Sequence, residues 1–119
     1  MFSLKRLFRS FRCAAKGIWI ALRYEQSFRV QLCVAAVVIF LIFYFQVKLW
    51  EAVALLLLVI SVLTLELLNS ILERIVDVLK PRIHPYVEEV KDLMAGAVLI
   101  AAIGALVIGL LILLPYILF

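Results

Sequence analysis

The stretch AVALLLLVISVLTLELLNSILERIVD, Ala52 to Asp77, decides how this chain folds. From Ala52 to Leu65 it carries no charge, and after a single carboxylate, Glu66, the apolar character resumes from Leu67 to Leu72. A helix needs about 20 predominantly apolar residues to cross a hydrocarbon core about 30 Å thick. The segment therefore predicts a membrane-spanning helix from about Leu49 to the neighbourhood of Glu73. Its polar residues are ordered: at 100° per residue, Glu66, Asn69, Glu73 and Asp77 fall within roughly an 80° arc. Leu67, Leu68, Ile71, Leu72 and Ile75 fill the remaining faces.

Two further runs flank this helix. Eighteen uncharged residues lie between Arg29 and Lys48, and no charged side chain follows Asp92. The chain thus predicts an all-α integral membrane protein, a single domain over residues 1–119, with spans at about 28–47, 49–73 and 92–117. Upstream, Leu4, Leu7, Phe8, Phe11, Ala15, Ile18 and Leu22 recur at helical spacing, while Lys5, Arg9, Arg12 and Lys16 occupy the other side. That pattern predicts an amphipathic helix over about 4–22 lying in the headgroup plane, with Gly17 permitting a bend or a close approach. Composition agrees. With 68% hydrophobic residues in 119, the chain has too much apolar surface for a water-soluble core of its own.

The net charge of +4 does not indicate nucleic acid as a partner, because seven of the twelve Lys and Arg lie within residues 5–29, interleaved with large apolar side chains. An anionic membrane surface suits that arrangement better. The same recurrence of basic residues leaves no uninterrupted apolar core for a cleavable signal peptide, so the hydrophobic runs are expected to stay in the mature protein. Four basic residues also fall between Arg74 and Lys91, whereas the connection between the first two spans has only Lys48. The positive-inside rule then puts the N-terminus and the second connection in the cytosol, and the C-terminus outside. Tyr44 and Trp50 fit the outer interfacial belt, Trp19 and Tyr24 the inner one. Cys13 and Cys33 show neither a disulfide framework nor metal-ligand spacing.

Depth gives the acidic stripe its meaning. Counted from Leu49 at 1.5 Å per residue, Glu66 lies about 25 Å along the axis, just inside the inner hydrocarbon boundary, and Glu73 about 10 Å further on among the headgroups. A carboxylate at the depth of Glu66 costs several kcal/mol unless it is paired, neutralised or facing a wet cavity. Glu25, just before the first span, stands on the same side as Glu73. Two carboxylates from different helices suit a divalent cation with oxygen ligands, and magnesium prefers one or two carboxylates completed by substrate phosphates. Glu66, deeper and less solvated, could take a proton from a hydroxyl at headgroup depth. No Walker-type loop is present, since Gly17, Gly96, Gly104 and Gly109 are scattered.

The run Glu66-Leu-Leu-Asn69-Ser-Ile-Leu-Glu73-Arg-Ile-Val-Asp77, followed by Lys91-Asp92, resembles the prokaryotic diacylglycerol kinase/undecaprenol kinase family. The signature there is E-x-x-N-[ST]-x-x-E-x-x-V-D with a Lys-Asp pair in the last helix. The resemblance extends to the basic first helix and to Glu25-x-x-Phe28, and so covers nearly the whole chain. It implies a homotrimeric membrane enzyme that moves the γ-phosphoryl group of ATP, with Mg2+, to a lipid alcohol. It also implies roles: Glu66 as general base beside the lipid substrate, Asn69 positioning groups at the reacting centre, Glu25 and Glu73 holding the metal and contacting the nucleotide. Lys91 and Asp92 would contact the nucleotide, Arg82, Ile83 and His84 would cover it, and Arg6 and Cys13 match ligand-touching positions. Lys16-Gly17-Ile18-Trp19, His84-Pro85 and Ala95-Gly96-Ala97-Val98 look like the undecaprenol kinases of Gram-positive bacteria, which favours undecaprenol over diacylglycerol. The departures, at Cys13, Ala14, Gln31 and Arg82, leave the carboxylates intact.

Other residues have plainer readings. His84 is expected to be solvated, Glu88 and Glu89 to be first-turn helix charges, and Ser70 to bond between helices or to its own backbone. The rival class is a non-enzymatic bundle subunit or an ion-handling oligomer with Glu66 as carrier, which leaves Asn69, Glu73, Lys91 and Asp92 unexplained.

Overall fold

A computed structural model describes residues 3–79 and 86–119 of the chain. Those residues form four helices: α1, Leu4–Tyr24; α2, Gln26–Phe45; α3, Leu49–Leu79; and α4, Tyr86–Leu118. The last three are each long and apolar enough to cross a membrane. At 1.5 Å per residue, the 31 residues of α3 extend about 46 Å, so the helix outruns a 30 Å hydrocarbon core. Charge patterning alone ends the second span near Glu73. The helix continues to Leu79 because backbone hydrogen bonding does not stop at the lipid boundary.

A single extended residue separates α1 from α2. Glu25, at φ −110° and ψ 106°, ends one helix and starts the next. Its N–H donates to Ala21 O at 2.9 Å, while its own carbonyl accepts from the Arg29 N–H at 3.2 Å. Arg29 secures the junction: its Nη1 donates to the carbonyls of Leu22 and Arg23, each at 2.9 Å. A cation over the last carbonyls of α1 satisfies orphan acceptors and opposes the negative end of the helix dipole. At the other end of α1, the Ser3 hydroxyl caps the Arg6 N–H. Within the chain nothing approaches Gly17 closely: a Cβ there would meet no atom within 4 Å.

The α2–α3 connection is equally short. Gln46 takes the left-handed conformation (φ 49°, ψ 54°), and the Val47 N–H reaches back to Ile42 O at 3.4 Å, as in a Schellman ending. Glu51 then accepts the Lys48 N–H at 3.1 Å, the acidic half of a capping box. The same carboxylate accepts the Tyr116 hydroxyl, and the Phe45 and Tyr116 rings meet at 6.0 Å. One end of the bundle is thus tied by contacts between α2, α3 and α4. Beside it, Leu55, Ile112 and Leu113 form a small buried cluster flanked by Val38, Leu41 and Ile42.

Packing elsewhere is sparse. Among the described residues only nine hydrophobic side chains are buried, while large ones such as Phe43, Leu57, Ile60 and Ile100 stand exposed on the long helices. In water that surface would be prohibitive, so the chain is a membrane protein whose helices present it to lipid or to other chains.

Candidate active site

α3 packs inward along the face that carries its acids. Val62, Glu66, Ser70 and Val76 are buried on it, and Glu66 retains only 5% of its accessible surface. Few ionisable side chains are buried so far, and they persist where function or a polar partner keeps them. Below Glu66, toward the middle of α3, an apolar cavity of about 360 Å³ opens between α2, α3 and α4. Its lining begins one turn away with Val62 and Leu63, continues to Leu55, and includes Ala105 and Gly109 of α4; Gln31 is its one polar side chain. Glu66 therefore stands between an apolar chamber and the polar end of α3.

Toward that polar end the side chains are interlinked. Asn69 Nδ2 donates to Glu73 Oε1 at 3.0 Å, one turn along the helix. Ser70 Oγ donates to Glu66 O at 3.2 Å, so its hydroxyl is spent on its own backbone. Across helices, Arg74 Nη1 donates to Glu25 Oε1 at 2.8 Å, joining α3 to the α1–α2 junction. The charges of Glu73 and Glu25 both act on Glu66, which puts the three carboxylates in one electrostatic neighbourhood. Asp77, the last acid of the stripe, is exposed and pairs instead with Lys91 Nζ of α4 at 3.7 Å.

The sequence-predicted residues therefore divide. Glu25, Glu66, Asn69 and Glu73 come together, and Lys91 adjoins them through Asp77. Asp92 lies exposed on the first turns of α4, beside Glu89 and Leu93. Arg6 and Cys13 sit on α1, roughly 28 Å and 18 Å along its axis from Glu25, so a single chain does not carry them to the carboxylates. Arg82, Ile83 and His84 lie outside the described residues. The residue that sequence pattern missed is Arg74. It is the only basic residue of α3, next to Glu73 and four past Ser70, and that singularity was the available signal.

For a divalent cation the donor chemistry fits. Glu25 and Glu73 offer hard oxygen ligands, and among the described residues no three acidic, Cys or His side chains converge into a closed cage. Arg74 pairs with Glu25, while Glu73 is met by the neutral Asn69 amide, which leaves negative charge for a cation to compensate. Phosphate oxygens and water would complete the six-coordinate shell that magnesium requires.

Helices that cross lipid, with carboxylates gathered at one membrane boundary over an apolar chamber, describe an enzyme handling a polar group at the head of a lipid. The chain belongs to the prokaryotic diacylglycerol kinase family, whose sequence profile matches residues 12–113. It is 38% identical to the undecaprenol kinase of Bacillus subtilis over 112 residues, covering 94% of this chain and 91% of that protein. It is 36% identical to the diacylglycerol kinase of Synechocystis over 110 residues, 89% of this chain and 61% of that longer protein. The chain is a lipid kinase, and the non-enzymatic alternative is set aside.

Proposed function

We propose that the protein phosphorylates undecaprenol at the cytosolic face of the bacterial inner membrane, using ATP with Mg2+. The buried Glu66, set between an apolar chamber and the Glu73–Asn69 pair, is the observation that carries this reading. The polyprenyl chain lies in the apolar region flanking α3 and brings its terminal hydroxyl up to Glu66. That carboxylate accepts the hydroxyl proton as the alcohol oxygen bonds to the γ-phosphorus and ADP departs with the bridging oxygen. Glu25 and Glu73 would hold magnesium, which when bound would neutralise the phosphate charge. Asn69 fixes the Glu73 carboxylate, and the apolar walls keep water from competing with the lipid for the phosphoryl group. Phosphoryl transfer asks mainly for positioning and charge stabilisation, which a small helical scaffold can supply.

The nucleotide approaches from the cytosol, where Lys91 and Asp92 and the segment of Arg82, Ile83 and His84 would meet it. Arg6 and Cys13 lie on the side of α1 opposite its apolar stripe, so α1 resting on the headgroups would turn both toward the nucleotide's compartment. A homotrimer would let the exposed faces of α2, α3 and α4 cover one another in part. Undecaprenol is favoured over diacylglycerol by the Bacillus relative, which nearly matches this chain in length.

The purified protein, given labelled ATP and either undecaprenol or diacylglycerol, should transfer label to undecaprenol preferentially; preference for diacylglycerol would reverse the substrate assignment. Glu66→Gln should lower lipid phosphorylation by about 10²- to 10⁴-fold, the usual worth of a general base, while Mg-ATP still binds. Normal turnover in that variant would remove Glu66 from the mechanism.

A further inference from the structure

We infer that Arg74 is a movable counter-ion of the metal pair: without a cation it holds Glu25, and when the nucleotide arrives it releases Glu25 and binds the phosphates. The inference rests on the assignment of Glu25 and Glu73 as the metal ligands. Arg74 Nη1 lies 2.8 Å from Glu25 Oε1, on the carboxylate that a divalent cation would take. Among the described residues its other bond, to Ser70 O at 3.3 Å, uses the same nitrogen. A guanidinium offers five donors in a planar fork matched to phosphate oxygens, so two bonds through one nitrogen engage only part of it.

Exposure decides between a fixed strut and a movable partner. The Arg74 side chain is 50% exposed and that of Glu25 22%. Ion pairs this close to solvent contribute little to stability and exchange partners readily. A permanent structural role would call for a buried pair with its remaining donors satisfied by protein. The other partly buried base near the acids, Lys91, is already engaged with Asp77. Arg74 is thus the basic residue in contact with Glu25, one position along α3 from Glu73.

A cation bound without phosphates must displace the guanidinium from Glu25 and suffers its repulsion. A cation arriving on a nucleotide brings phosphate oxygens that the displaced guanidinium can bind. Arg74 therefore opposes the bare metal and favours the metal–nucleotide complex, a discrimination that the two carboxylates alone do not supply.

Two binding measurements on the full-length protein in detergent test this. Mn2+ alone is titrated by electron paramagnetic resonance, and a non-hydrolysable ATP analogue with Mg2+ by fluorescence. Arg74→Gln should bind Mn2+ about tenfold more tightly and the Mg-analogue about tenfold more weakly. Arg74→Lys keeps the charge but not the fork, so its Mn2+ affinity should stay near that of the parent while the analogue still binds more weakly. Opposite shifts from one substitution are not what partial unfolding gives. Glu25→Gln and Glu73→Gln must each lose Mn2+ binding; if they retain it, the metal-pair assignment fails and takes this inference with it. If they lose it but Arg74→Gln leaves either affinity unchanged, or lowers both, the counter-ion role alone is overturned.

Discussion

Asn69 shows how a neutral side chain serves a charged site. Its Nδ2 donates to Glu73 Oε1, and that single bond selects which rotamer the Glu73 carboxylate adopts. Hydrogen bonds to charged groups contribute about 1.5–3 kcal/mol, and part-exposure here puts the value at the low end. Asn69→Ala should therefore weaken Mg-ATP binding by about fivefold to tenfold with little change in thermal stability. Titrating Mg-ATP into the purified variant checks this; unchanged affinity would show that Glu73 needs no such support. Glu66, Asn69 and Glu73 were legible in the sequence because lipid makes every polar residue on a spanning helix conspicuous, and a helical wheel puts these three on one side. Arg74 was not. A wheel locates Cα atoms, whereas Arg74 acts through a long side chain reaching a carboxylate 49 residues away in the sequence. Asp77 shares the arc of Glu66, as the wheel predicts, but it is exposed and pairs with Lys91 of α4.

The helices themselves were legible for a related reason. Unpaired backbone is too costly in hydrocarbon for any spanning segment to be other than helix or barrel strand, so runs of apolar residues fix the elements. Their ends obey different rules. Glu25 breaks the chain between α1 and α2 with neither proline nor glycine, held by carbonyls that Arg29 caps. The tie of Tyr116 to Glu51 spans 65 positions and has no local signature. Gln46 is the clearest case, for nothing in a glutamine announces a left-handed turn, which costs an L-residue roughly 1–2 kcal/mol. The helix ending imposes it, since the Val47 N–H must reach Ile42 O. Glycine meets no such penalty, although it loses more entropy on folding, so Gln46→Gly should stabilise the protein by about 0.5–1 kcal/mol. Thermal unfolding in detergent followed by circular dichroism measures it. A lower midpoint would mean that the Gln46 side chain makes contacts that outweigh the backbone strain.

Across the whole molecule, the distribution of charge and of apolar surface must agree on one orientation. Basic residues crowd α1 and the α3–α4 connection, and the acids of the site lie at that same end of α3. The opposite end is closed by Phe45, Glu51 and Tyr116 and has Lys48 as its lone base. In the proposed reaction ATP comes from the cytosol, which would turn the acidic end to that side, in agreement with the positive-inside expectation from the basic residues. The two native cysteines report on this independently of activity. Cys13 is exposed and lies opposite the apolar stripe of α1, whereas Cys33 is exposed within the apolar span of α2. A membrane-impermeant maleimide should label Cys13 in inverted vesicles and leave it untouched in intact cells. Cys33 should stay unlabelled in both until detergent is added, because a charged, impermeant reagent does not enter the hydrocarbon core. Labelling of Cys13 from outside would invert the topology and put the carboxylates on the side without ATP; equal labelling of both cysteines in vesicles would place α2 out of the bilayer.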